Sequence, residues 1–241
     1  MIVKSDAIII KSMKYGDSSK IISVFSKDFG KISFLAKGAY QKKSKFAGIL
    51  ESLNEINATF YVKNNSDLFV ISSADLINSC QNLSANLNHY AVGLLILEAT
   101  STINLNRIAN EFIYENLSEI LKKLKEIPAN PFAFFVKMML ILAEATGYEL
   151  ATEMLISQED FLFINLENGQ IFKNNNLGLK QLFRIKYSIY CKFYEINNSE
   201  LDMLDDYNFN SNDVNDVIRF FEFYFSYHLD KKVRFKSVFL L

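Results

Sequence analysis

The first 75 residues alternate apolar and polar positions at the short period of β-strands, and from Gln81 onward the period lengthens to that of helices. Residues 7–10 (Ala-Ile-Ile-Ile) predict a buried strand, and the cluster Tyr15-Gly16-Asp17-Ser18-Ser19 predicts a turn. A second strand follows at 21–25, a turn at 27–30, and a third strand at 31–37 that ends on Gly38. Residues 39–46 are polar and lysine-rich and read as a loop. A fourth strand is expected at 53–62, a turn at 63–67 and a fifth strand at 68–74. Five short strands with one long basic loop between the third and fourth predict a small closed barrel of the OB type.

The helical half begins with apolar stripes at 87–103 and 107–125. Asn130-Pro131 supplies a cap and a helix-opening proline for a buried helix that stops at Gly147. Apolar runs at 161–164 and 171–172 flank Glu167-Asn168-Gly169-Gln170, which predicts an inserted hairpin. A helix is expected over 179–194, and a last one is capped by Ser211 or Asn212. That last helix carries Val214, Val217, Ile218, Phe221, Phe225 and Leu229 on one face. The expected fold class is α+β: a five-stranded OB-fold barrel over residues 1–78, then an all-α helical domain over 79–241 with a hairpin near 158–174. With only 8 Gly and 2 Pro and no long linker, the two parts should abut as a fixed pair.

Charge sharpens this division. The chain's net charge is −1, but residues 1–80 hold 11 Lys and no Arg against 7 acids, while residues 81–241 hold 15 cations against 20 acids. A basic front and an acidic rear point to two jobs on two domains. Cys80 and Cys191 stand far apart with no CxxC, which fits free thiols in a reducing compartment. Asp6 sits where a signal peptide would be apolar, and neither apolar helix has the ~20 uninterrupted residues of a bilayer span. A cytoplasmic protein with no membrane contact is expected.

Catalytic constellations are sparse. His89 and His228 each lie inside a helical pattern, and two histidines without nearby cysteine make no tetrahedral zinc site unless carboxylates join them. Phosphate-cradling glycine motifs are absent, and Asp28-Phe29-Gly30 reads as a hairpin turn. The best enzymatic candidate is the acidic group Glu200, Asp202, Asp205 and Asp206, which could hold Mg²⁺ for phosphoryl chemistry; the plainer reading is a solvated loop. No enzyme, metal or cofactor is expected.

The positive signal is basic. Between Phe29 and Leu50 stand Lys31, Lys37, Lys42, Lys43 and Lys45 with no acid, and Tyr40 and Phe46 are interleaved, with Phe34 on the adjacent strand. Lysines on flexible stems suit phosphates and flat apolar rings suit unpaired bases. Without arginine forks, such a surface tracks backbone rather than reading base edges. Lys14 joins the candidate site on charge alone, as do Lys31 and Lys42. The plainer alternative is a solvated lysine loop over core phenylalanines.

These residues resemble a known family. The strand at 7–14 with Tyr15-Gly16-Asp17-Ser18-Ser19, then Val24-Phe25-Ser26 and Phe29-Gly30-Lys31, is similar to the recombination mediator RecO. So are Lys37-Gly38-Ala39 leading through Lys43-Ser44-Lys45 to Leu50-Glu51-Ser52-Leu53, the stretch 61–74, and the chain's end from Tyr227-His228 to Leu240. The resemblance implies an N-terminal OB fold, a helical C-terminal domain, binding of single- and double-stranded DNA, and annealing of complementary strands. It further implies assistance in loading RecA onto strands coated by single-stranded-DNA-binding protein, with RecR and the acidic, apolar tail of the coating protein as partners. By this resemblance Lys37, Lys43 and Lys45 fall in motif positions that many relatives fill with basic residues. Many relatives carry a four-cysteine zinc module after the helix ending here at Gly147, but 148–172 holds no cysteine. A metal-free hairpin packed on the helices through Phe161, Phe163 and Phe172 is expected instead. The competing reading is a scaffold whose barrel docks another protein rather than DNA.

Overall fold

The computed structural model describes residues 1–62, 68–104, 107–150, 156–174 and 181–241. Five strands open the chain: β1 (Ile2–Tyr15), β2 (Ser19–Ser26), β3 (Gly30–Ala36), β4 (Glu55–Tyr61) and β5 (Leu68–Asn78). They close in the order β1-β2-β3-β5-β4, with β4 returning to β1. All pairs are antiparallel except β3 with β5, where Phe34 faces Phe69 in a parallel register. This is the five-stranded OB-type barrel that the alternation predicts. The turn expected at 63–67 lies outside the described residues.

Period two explains why the stretch 7–10 is apolar throughout. Ala7 and Ile9 point into the barrel with Ile22, Val24, Phe34 and Phe60, whereas Ile8 points outward into the core of the helical part. Phe25 and Leu53 do the same, so barrel and helices share one apolar seam. Polar contacts reinforce it. The buried Glu55 carboxylate accepts hydrogen bonds from the Tyr114 and Ser118 hydroxyls, both at 2.9 Å, and from Asn78 Nδ2 at 2.5 Å. Burial and the neighbouring carboxylate raise the Tyr114 phenol, which keeps it a donor. Lys27 lies between Glu111 (2.8 Å) and Glu115 (3.2 Å), which raise its ammonium above the usual lysine range.

The helical part contains α1 (Gln81–Ser84), α2 (Leu87–Ile103), α3 (Glu111–Leu124), α4 (Phe132–Ala145), α5 (Tyr187–Asn198) and α6 (Ser211–His228), with 3₁₀ turns at Leu201–Asp206 and Lys236–Leu240. Helix α4 is apolar all round and is buried along almost its whole length. Its one cation, Lys137, donates to the carbonyls of Ile196, Asn197 and Ser199 at 2.8–3.1 Å and so caps α5. Among the described residues no helix is long and apolar enough to cross a membrane.

Several expectations need correction. Asn130 does not cap α4: the N-cap is Pro131, with no side-chain hydrogen bond, and the Asn130 amide donates to Asp205 O instead. The helix predicted over 179–194 begins only at Tyr187, because Leu182–Lys186 form strand β8 against β6 (Phe161–Asn165); Leu179 and Lys180 lie outside the described residues. The hairpin of β6 and β7 (Ile171–Phe172) is thereby a three-stranded sheet in the order β7-β6-β8. Its packing face is also the opposite one: Leu162, Ile164 and Ile171 join the helical core, while Phe161, Phe163 and Phe172 stay half-buried outside it. Arg184 instead lies 3.7 Å over the Phe161 ring. Finally, α6 is capped by Asn210, whose side chain accepts from Asp213 N at 3.0 Å, rather than by Ser211 or Asn212.

Candidate nucleic-acid interface

The basic loop between β3 and β4 is a succession of tight turns. Gln41 N donates to Gly38 O, Ser44 N to Gln41 O, Ala47 N to Ser44 O and Ile49 N to Phe46 O, all at 3.0–3.3 Å. Ala39, Phe46 and Leu50 plug into the barrel core, and Asn54 Nδ2 donates to Gly48 O (3.1 Å) and Ile49 O (2.9 Å). With its apolar residues turned inward, the loop presents Lys37, Gln41, Lys42 and Lys43 to solvent. None of these three lysines makes a side-chain hydrogen bond or ion pair among the described residues.

Tyr40 lies in this loop against the β1–β2 hairpin. Its backbone N donates to Ser18 O at 2.9 Å, tying the loop to the β1–β2 turn. Half of its surface remains exposed (50%). Lys14 lies 5.9 Å and Lys20 5.1 Å from the ring centroid. Lys14 and Lys20 are direct cross-strand neighbours, a like-charge pair that costs stability unless neutralised. Glu51 neutralises it, pairing with Lys20 at 2.7 Å, which leaves Lys14 as the outward cation. The sequence reading missed Lys20 as the support of this ring, and it missed Tyr15, exposed beside Lys14. Tyr15 is the chain neighbour of Lys14, whereas only the hairpin register brings Lys20 opposite it.

The candidate residues therefore separate. Lys14, Lys37, Tyr40, Lys42 and Lys43 gather at one end of the barrel. Lys45 reaches sideways: its ammonium donates to Ser72 O on β5 and lies 5.2 Å from the Phe46 ring. Lys31 stands at the opposite end of β3 and is half-buried in the seam, donating to Ser101 O at 2.7 Å and Asn104 O at 3.5 Å. Burial, and then the nearby Lys231 charge, lower its pKa. The two phenylalanines considered as stacking rings are core: Phe34 is fully buried and Phe46 nearly so. Tyr40 alone of the three rings is open to a base.

The residues weighed for catalysis go elsewhere. Asp202 pairs with Lys123 at 2.5 Å, and Asp205 accepts from Asn130 N at 2.7 Å. His89 is buried with Nε2 at 2.6 Å from Pro128 O, and His228 stacks on Tyr148 at 4.1 Å. Burial pushes the Cys80 thiol up to about 11, away from nucleophilic reactivity at neutral pH.

An OB-type barrel whose lysine-bearing loop leaves Tyr40 exposed, fused to a helical domain, places the protein among OB-fold proteins. Comparison with known proteins narrows the class. Residues 1–80 match the family described as Recombination protein O N terminal. A DNA repair protein RecO of Chloroherpeton thalassium is 30% identical over 150 residues, which cover 62% of this chain and 58% of that relative. One of Bacillus cytotoxicus is 29% identical over 121 residues, covering 50% and 48%. One of Chlorobium limicola is 23% identical over 252 residues, covering 99% and 97%. The chain spans less than two thirds of the length of the first relatives it matches. The match over residues 1–80 and these relatives support a place in the RecO family.

Proposed function

We propose that this protein is a non-catalytic mediator of DNA repair and recombination. It binds single- and double-stranded DNA at the loop end of its barrel, anneals complementary strands, and with RecR assists loading of RecA onto strands coated by single-stranded-DNA-binding protein. The observation that carries the reading is the half-exposed Tyr40 ring, 5.9 Å from Lys14, in the exposed loop that also carries Lys37, Lys42 and Lys43, none of these four lysines paired with a carboxylate among the described residues. Cations without counter-charge attract phosphate, and an open ring takes the face of an unpaired base. Annealing needs little more: neutralised backbones that approach one another and bases that are not sequestered. The names of the relatives support the repair role. The acidic helical part suits protein partners, among them the acidic, apolar tail of the coating protein, which an aromatic-lined groove edged by cations would accept.

Two complementary labelled oligonucleotides mixed at low concentration test the proposal. The full chain should raise their pairing rate well above the protein-free rate, with the gain falling steeply as salt rises. Pairing at the protein-free rate at every salt concentration would remove the annealing role and favour a barrel that docks protein.

A further inference from the structure

We propose that residues 230–236, which follow α6, form a second backbone-binding surface for single-stranded nucleic acid, continuing the strand path from the barrel across the seam onto the helical domain. This rests on the reading of the barrel as a strand-binding module and extends it to a part of the chain whose overall charge argues the other way.

The helical part is acidic in sum, yet these seven residues hold Lys231, Lys232, Arg234 and Lys236 against the single acid Asp230. The segment is held in place. Val233 N donates to Ser226 Oγ (2.8 Å), Phe235 N to Glu222 Oε1 (2.8 Å), and Lys236 N and Ser237 N to the Glu98 carboxylate (2.9 and 2.7 Å). Its cations are therefore presented from a fixed backbone, which lowers the ordering cost of binding. Lys231, Lys232 and Arg234 border a cleft of about 460 Å³ whose wall includes Phe223 and Ser226. Phe223 is 43% exposed, with the Arg219 guanidinium 5.7 Å from its ring. The cleft's other acid, Glu222, is already answered by Arg234.

Lys31 joins this surface to the barrel. Lys31 from β3 and Lys231 from the C-terminal segment both donate to carbonyls at the end of α2: Ser101 and Asn104 for the first, Thr102 (2.8 Å) for the second. The negative end of the helix dipole holds two like charges together there. Arg107 adjoins them: its backbone N donates to Lys31 O, and its guanidinium lies 5.4 Å from the Phe69 ring. A series thus leads from Lys37 at one end of β3 to Lys31 and Lys231, whose ammoniums are held by carbonyls at the end of α2, and on to Lys232 and Lys236, whose side chains have no such partner among the described residues. Such a linear array matches the repeating charge of a nucleic-acid backbone better than the single carboxylate group of a peptide tail.

Lys232 and Lys236 make no side-chain hydrogen bond or ion pair among the described residues, so K232A/K236A should fold as the parent does; K232Q/K236Q, which keeps much of the aliphatic stem, is the second variant. Binding of full-length protein to oligodeoxythymidylates of about 6 and about 20 nucleotides, the first within and the second beyond the site size of one OB fold, separates the outcomes. On the long oligonucleotide both variants should lose roughly tenfold in affinity at low salt, and their salt slope should fall by about 1.4, at ~0.7 per phosphate contact. The short oligonucleotide should bind as to the parent. Variants equal to the parent at both lengths, while K42A/K43A binds weakly, would overturn the extension and leave the barrel reading standing. A parent chain that binds neither length would remove both. Loss of binding to a synthetic acidic-apolar peptide, with oligonucleotide binding intact, would make this a peptide site and overturn the proposal.

Discussion

Replacing Lys37, Lys42 and Lys43 together by alanine is expected to lower affinity for single-stranded DNA roughly 100-fold at 50 mM salt and to reduce the salt slope by about 2. The size follows from counterion release: each phosphate neutralised on a single strand contributes ~0.7 to the slope, and three contacts vanish together. These lysines are exposed and without side-chain partners among the described residues, so thermal stability should stay within about 0.5 kcal/mol of the parent. Lys45 is left out because its ammonium is committed to Ser72 O. Fluorescence anisotropy across a salt series, with a thermal melt beside it, reads both quantities. Unchanged affinity with unchanged stability would clear the loop of any role in binding.

Replacing Gly30 by alanine is expected to destabilise the whole chain by at least about 2 kcal/mol and lower Tm by at least about 5 °C. Gly30 has φ of +62°, and a Cβ there would stand 2.1 Å from Ile108 O and 2.5 Å from Ile108 C. Those are backbone atoms of the segment leading into α3, so relief requires the seam itself to open. Gly16 provides the control: its φ is +60°, but nothing lies within 4 Å of its added Cβ. G16A should cost only the left-handed conformation, about 1 kcal/mol. Equal losses in the two variants would mean that the close approach of barrel and helices at Gly30 contributes nothing.

The contrast between these positions bears on what the chain's linear pattern reveals. The barrel is readable because Ala7, Ile9, Ile22 and Val24 alternate with residues that face elsewhere. The ends of β1 are not, since Lys4, Lys11 and Lys14 extend a paired strand without an apolar rhythm. The region after Phe172 misleads for a physical reason. Leu182, Ile185, Ile189 and Phe193 fall at intervals of three and four, which is helical spacing, yet the first two lie in a strand paired with β6. In β6 the run Phe161-Leu162-Phe163-Ile164 is apolar on both faces, so sequence does not tell which face is core; the branched residues take it.

The candidate site divides in the same way. An acid-free run of lysines is visible in one dimension, but the commitment of Lys31 to carbonyls of α2, some 70 residues later, is not. Phe46 looks like a stacking ring in a basic loop because its neighbours are polar. Only the folding of that loop back onto the barrel shows that it plugs the core while Tyr40 remains outside.

The central claim is that the loop end of the barrel is where DNA sits, and photo-crosslinking tests it most directly. A single-stranded oligonucleotide carrying a photoreactive base would be bound to the full chain at low salt, irradiated, and the attached peptides mapped. The account predicts adducts centred on Tyr40, with Tyr15 as the second site, competed away by unlabelled strand and by rising salt. Adducts confined to the acidic helical surface, or none at any salt, would contradict it.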